Sequence, residues 1–143
     1  MPNRYTCYFD GSYRDYEGKE DMGIGCSILN EEQEVVFELS LHISEKGSTN
    51  YAEYCACLEV LKWLKENEHE SAIINGDSKL VINQLNGFWR IRKGTYVDKA
   101  NEVKELLKSL PNVKLVWSRR HNNKNADGLS KMGLNGKNYI SQN

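Results

Sequence analysis

Apolar positions fall first in short runs and later at helical spacing. Residues 4–10 (RYTCYFD) are aromatic and small apolar, and they predict a strand that leaves the core at Asp10. Residues 22–29 and 34–42 carry similar strand character, the second with alternating, β-branched positions, and Asn30-Glu31-Glu32-Gln33 forms the turn between them. The polar, glycine-containing stretch 11–21 reads as a long first loop. A helix follows over 49–67, capped by Ser48 or Thr49. Then come a short buried strand (SAIIN, 71–75), a helix over 77–85, and an amphipathic helix over 95–110 stopped by Pro111. Residues 113–117 are the last strand, and a final helix starts near Asn125.

This order predicts an α/β fold. Three antiparallel strands are followed by helix-connected parallel strands, giving a mixed five-stranded sheet with flanking helices. The whole chain, 1–143, is expected to be one domain, with a core over about 4–133 and a short C-terminal tail over 134–143. Ligand sites in such sheets gather at the carboxyl ends of parallel strands, where Asp10 is expected to lie.

The net charge of -1 conceals an asymmetry, because the chain from Pro111 onward holds six Lys or Arg against the single acid Asp127. That basic end is either a solvated tail or a phosphate-facing surface. No apolar stretch reaches the length of a membrane span and no signal-like segment opens the chain, so the expected compartment is the cytoplasm. Cys7, Cys26, Cys55 and Cys57 lack zinc-site spacing and read as buried free thiols.

Four acids attract notice together. Glu53 heads a helical face whose other members, Cys57, Val60 and Leu64, are apolar. Taken alone it is an early-turn acid favoured by the helix dipole. Asp77 follows Gly76 behind the SAIIN strand, and alone it is a helix N-cap. Asp127 precedes Gly128 near the start of the last helix, where the cap reading serves equally and the glycine points to a close backbone approach. With Asp10, however, two acids end strands expected to be parallel neighbours, and the other two sit on helices. Converging carboxylates repel one another in a low-dielectric site. Divalent cations resolve that conflict, and an all-oxygen set suits Mg²⁺ or Mn²⁺.

Four segments in order, YFDGS (8–12), STNYAEYCACLEVL (48–61), GDSKLVINQLNG (76–87) and WSRRHNNKNADGLS (117–130), resemble the type 1 ribonuclease H family. The likeness runs over about residues 5–132. It implies a metal-dependent endonuclease that hydrolyses the RNA strand of RNA–DNA hybrids, leaving 5′-phosphate and 3′-hydroxyl ends. The resemblance makes Asp10, Glu53, Asp77 and Asp127 the ligands of two Mg²⁺ ions, with Mn²⁺ as an alternative. Asp10 would bridge the ions, Asp77 and Asp127 would serve the water-activating one, and Glu53 the leaving-group one. Asn50 would read a 2′-hydroxyl, Gly11 and Ser12 would present backbone groups to the RNA strand, and Ser48 would touch a DNA phosphate.

The chain departs from the family in several places. Thr49-Asn50 stands where two asparagines are common, and Ser78-Lys79 where Ser-Gln is common. Lys79 either contacts phosphate or is solvated. A bulky basic protrusion is reduced to residues 87–93, where Trp89 either packs or stacks on a DNA sugar and Arg90 either binds phosphate or is plain surface charge. Weaker, more salt-sensitive binding follows. His121 lies six residues before Asp127, closer than the family's usual histidine; Arg120 instead fits the Arg-x-x-Asn-x-x-Ala-Asp form of compact members. Arg120 is therefore the first choice near the leaving phosphate and His121 the second, while His42 and His69 are expected at the surface. Two other readings compete: the same fold acting as an exonuclease or junction resolvase, and a non-catalytic hybrid-binding module. The expected partner is an RNA–DNA hybrid with no membrane, and the expected state is a monomer.

Overall fold

The computed structural model describes residues 3–142. Its elements run β1 (Arg4–Tyr16), β2 (Lys19–Leu29), β3 (Val35–Ile43), α1 (Thr49–Glu66), β4 (Ser71–Gly76), α2 (Lys79–Leu85), α3 (Val97–Lys108), β5 (Val113–Trp117), α4 (Lys124–Leu134) and β6 (Tyr139–Gln142), with a 3₁₀ turn at Arg120–Asn122. The sheet order is β5-β4-β1-β2-β3-β6. β4 pairs parallel with β1 and β5, and the other neighbours are antiparallel. The mixed sheet with flanking helices is as expected, with local corrections.

First, the described residues form six strands, not five. Residues expected to be tail form β6, which pairs along β3 from Ser40↔Tyr139 to Phe37↔Gln142. Ser40 Oγ donates to the Lys137 carbonyl at 2.9 Å and the His42 N–H to Asn138 Oδ1 at 2.8 Å, so the approach to β6 is tied down as well. An edge left open on β3 is thereby covered. Second, the expected loop over 11–21 is a β1–β2 ribbon in continuous register from Gly11↔Ile24 to Tyr16↔Lys19. Glu17 and Gly18 both take positive φ, 52° and 84°, as a two-residue hairpin between right-twisted strands requires. Asp10 is therefore inside a strand, not at its end. Third, Asp77 does not cap α2: Ser78 does, accepting the Val81 N–H at 3.2 Å. His42 also departs from expectation, since it is half-buried against Asp21 at 2.7 Å.

Strand alternation places α1 and α4 on opposite faces of the sheet. A Cβ at Gly11 would lie 2.4 Å from the Ala52 and Glu53 backbone of α1, while one at Gly25, opposite Asp10, would lie 2.5 Å from Ala126 and Ser130 of α4. Both helices thus come down onto glycines beside Asp10. The close approach expected at Gly128 is not found among the described residues, where an added Cβ meets nothing. The core lies under α1, whose stripe of Cys57, Val60 and Leu64 is fully buried with Phe9, Ile74 and Val81. All four cysteines are buried free thiols. No described helix is long and apolar enough to cross a membrane.

Candidate active site

The site forms where β1 outruns its parallel neighbour. Pairing of β1 with β4 stops at Tyr8↔Asn75, and β1 continues through Asp10 with only β2 beside it. The released edge is taken up by Asn123, whose Nδ2 donates to the Phe9 carbonyl at 2.9 Å and so ties the start of α4 to β1. Into this gap come Asp10 from β1, Glu53 from α1 and Asp77 from the residue after β4. Carboxylate oxygens of the three lie within 4.8 Å of one another. Asp10 and Glu53 are buried, and the Asp77 side chain is only 7% exposed.

Asp127, in the first turn of α4, hydrogen-bonds Asp10 and pairs with Lys131 Nζ at 3.0 Å. Burial pushes the Asp10 carboxyl up to about 7; Glu53's hydrogen bond opposes this, while Asp77 and Asp127 add to it. Glu53 is raised well above the carboxylate range, first by burial and then by Asp10 and Asp77. Burial also acts to raise Asp127, but Lys131, Asp10 and Arg120 outweigh it and its carboxyl ends below its ordinary value.

Glu53 Oε2 and Asp77 Oδ2 are buried with no hydrogen-bond partner among the described residues. Orphaned carboxylate oxygens facing other carboxylates are costly unless a cation is supplied. The donor set, hard oxygens in a tight cluster, fits a divalent ion of the Mg²⁺ or Mn²⁺ kind.

Around this cluster the expected residues take different places. Arg120 Nε is 3.8 Å from Asp77 Oδ2, and its side chain is 81% exposed, so it reaches the rim. His121 stands exposed beside it in the 3₁₀ turn. Gly11 is packed under α1, and Ser12 turns away to Ser130, 2.8 Å between hydroxyls. Ser48 caps α1 by accepting the Tyr51 N–H at 3.0 Å; Thr49 is exposed and Asn50 half-buried in the turn leading to Glu53. Lys79 is not simply solvated: its ammonium sits 4.7 Å over the Trp117 ring. Trp89 and Arg90 are exposed and line a separate cleft with Leu80, Gln84 and Tyr96, so Trp89 is not a packing residue of the core.

Sequence reasoning missed Ser130 and Asn123 as supports. Ser130, fully buried, donates to the Asp127 carbonyl at 2.9 Å and lies 3.4 Å from Asp10 Oδ2. Its place three residues after Asp127, on the same helical face, was the available signal.

Comparison with known proteins fits this geometry. Residues 8–133 match the reverse transcriptase-like family. The chain belongs to that family. Within it, the chain is a type 1 ribonuclease H-like protein, similar to a ribonuclease HI of Halobacterium salinarum (28% identical, 92% of this chain and 64% of that protein). It is also 35% identical to the uncharacterized protein YpeP of Bacillus subtilis, over 91% of this chain and 58% of that protein. The chain thus spans less than two thirds of the length of these curated relatives. Among solved structures, the ribonuclease H1 of Halobacterium salinarum superposes with a TM-score of 0.81 at 27% identity, covering 93% of this chain and 98% of that one. LC11 ribonuclease H1, a compost metagenome protein solved with an RNA/DNA hybrid, shares the fold with a TM-score of 0.77 at 23% identity, covering 92% and 97%.

Proposed function

We propose that this ribonuclease H-like chain is a divalent-metal-dependent endonuclease that hydrolyses the RNA strand of RNA–DNA hybrids. The observation carrying the proposal is the convergence of buried Asp10, Glu53 and Asp77 with two oxygens unpaired. The ribonuclease HI relative and the hybrid held by LC11 support the substrate.

Asp10, Glu53, Asp77 and Asp127 would hold two divalent ions. Such ions supply an activated water and charge neutralisation at the leaving oxygen, giving 5′-phosphate and 3′-hydroxyl ends. Arg120, at the rim beside Asp77, holds its fixed charge toward the departing phosphate, with His121 the neighbouring alternative. Ser48, Thr49 and Asn50 at the start of α1, with Gly11 and Ser12 on β1, would present the RNA strand. Ser78 and Lys79, which follow Asp77, would lie on the α2 side, and Trp89 and Arg90 would meet the DNA strand. A pure binding module is disfavoured, because clustered acids repel the phosphates such a module must hold.

The test is cleavage of an end-labelled hybrid in Mg²⁺ or Mn²⁺, beside the same RNA alone and in an RNA duplex. Cutting confined to hybrid is expected, with D10N lowering the rate by about a thousandfold or more, the several kcal/mol a metal centre supplies. Binding of hybrid without cutting in either metal would instead favour the binding module, and cutting of DNA junctions or ends the exonuclease or resolvase reading.

A further inference from the structure

Asp77 is the acid with the least secondary structure of its own. It is a single residue between the last residue of β4, Gly76, and the cap of α2, Ser78. Among the described residues its carboxylate pairs only with Arg120, at 3.8 Å and from a largely exposed side chain, and its Oδ2 is buried without a hydrogen bond. Something must hold this corner if the oxygen is to stay aimed at Asp10 and Glu53.

Trp117 stands where that support is needed. It is the final residue of β5, paired with Gly76, and its indole N–H donates to the Asp77 main-chain carbonyl at 3.1 Å. The next residue completes the clasp, since the Ser118 N–H donates to the Gly76 carbonyl at 2.9 Å. Trp117 is 38% exposed, so core packing is not its main task. Its exposed aromatic face carries the Lys79 ammonium at 4.7 Å, an arrangement that confines an otherwise free lysine. One side chain therefore reaches both neighbours of the Ser78 cap: the metal-facing acid before it and the cation after it.

We propose that Trp117 is a positioning residue of the site. Its N–H fixes the Asp77 corner for metal binding, and its ring holds Lys79 at the rim, where the ammonium meets a backbone phosphate of the bound strand. The proposal rests on the nuclease reading for Lys79 but not for Asp77, whose part is read in metal binding alone. Supports of this kind behind a metal ligand shift affinity by about tenfold or more when removed.

The experiment compares wild type, W117F and K79Q by calorimetric Mn²⁺ titration and by hybrid cleavage kinetics. W117F keeps a ring and removes the N–H, and the metal-free Tm of each variant monitors the fold. For W117F we expect Mn²⁺ affinity to fall on the order of tenfold and kcat to fall, with KM for hybrid moved far less. For K79Q the expected change is a several-fold rise in KM, steepest at low salt. W117F with wild-type Mn²⁺ affinity overturns the Asp77 clasp whether or not its Tm falls, and a wild-type KM for K79Q overturns the lysine's part. If wild type itself binds no Mn²⁺, both this inference and the nuclease reading fail; if it binds and cleaves while W117F matches it, only the inference fails.

Discussion

At Asp10 the cost of assembling the site is written in a proton. Burial lifts its carboxyl from 3.8 to about 7, and Glu53 moves in the same direction. Both groups hold protons in the folded chain at a pH where the unfolded chain has released them. Without metal, then, folding stability declines as pH rises from about 4 toward 7, the opposite of a paired carboxylate. Asp127 has that paired behaviour: its lowered value stabilises the fold above 3.8 and is lost only as the solution turns more acid. In EDTA we expect a higher Tm at pH 5.5 than at pH 8, and millimolar Mg²⁺ should raise the Tm more at pH 8. D10N removes one of the repelling charges, leaving Glu53, Asp77 and Asp127 opposed by Lys131 and Arg120. It should exceed wild-type stability in EDTA at pH 8 by on the order of 1–3 kcal/mol. Thermal and urea unfolding at the two pH values measure this directly, and using the mutant as reference cancels the three histidines. Equal wild-type stability at both pH values, or a less stable mutant, sinks this account of the cluster.

The elements bring these acids together through two close approaches, and one substitution tests the first of them. G11A would put a Cβ 2.4 Å from the main chain of Ala52 and Glu53, atoms that cannot rotate away. The helix must lift, at a cost of about 1–3 kcal/mol, and Glu53 lifts with it. We therefore expect a lower Tm together with weaker Mn²⁺ binding; a lowered Tm with wild-type metal affinity would separate α1 packing from the site. How much of this was legible in the sequence depends on what drives each element. The α1 stripe of Cys57, Val60 and Leu64 below Glu53 is an apolar period, and it folds as its spacing requires. The strands at 71–76 and 113–117 are likewise written in apolar residues. The β1–β2 ribbon beyond Gly11 is not: Arg14 to Glu20 is polar, and its order comes from the ladder, the turn at Glu17-Gly18 and the 2.6 Å bond from Tyr13 to Glu20. β6 is equally silent, four mostly exposed residues held by an edge that only the folded β3 provides. At the site, the acids Asp10, Glu53 and Asp77 could be picked out from sequence, although Asp10 falls inside its strand. The indole N–H bond of Trp117 and the contact of Ser130 with Ser12 could not, since those partners are distant along the chain.

At the scale of the whole molecule, a basic group lies beside the carboxylates and two acidic groups lie away from them. Arg119, Arg120 and Lys124 surround the 3₁₀ turn beside the site, whereas Glu31, Glu32 and Glu34 lie in the β2–β3 turn, and Glu66 ends α1 with Glu68 and Glu70 in the connection to β4. Both acidic groups gather at the start of β1, because Asn3 lines the clefts formed by each. From there to Asp10 is about 20 Å of strand at about 3.3 Å per residue. That is more than two Debye lengths of about 8 Å at physiological salt, so the acidic end scarcely weakens attraction at the basic one. A hybrid docked at the site would bind more weakly as salt competes for its phosphates. With only a reduced basic arm at 87–93, few side chains would carry such binding, and each should be separately measurable. In Ca²⁺ or EDTA, the dependence of hybrid affinity on salt is expected to flatten by about 1–2 in log–log slope for R119A/K124A, since each neutralised phosphate accounts for about 0.7–0.9 of that slope. Reversing a charge at the far end, E68K, should leave the slope as it is. If E68K changes the slope as much as the double mutant does, hybrid is attracted by overall charge rather than held by the basic rim, and the placement of the strands over Arg120 and Lys79 has to be abandoned.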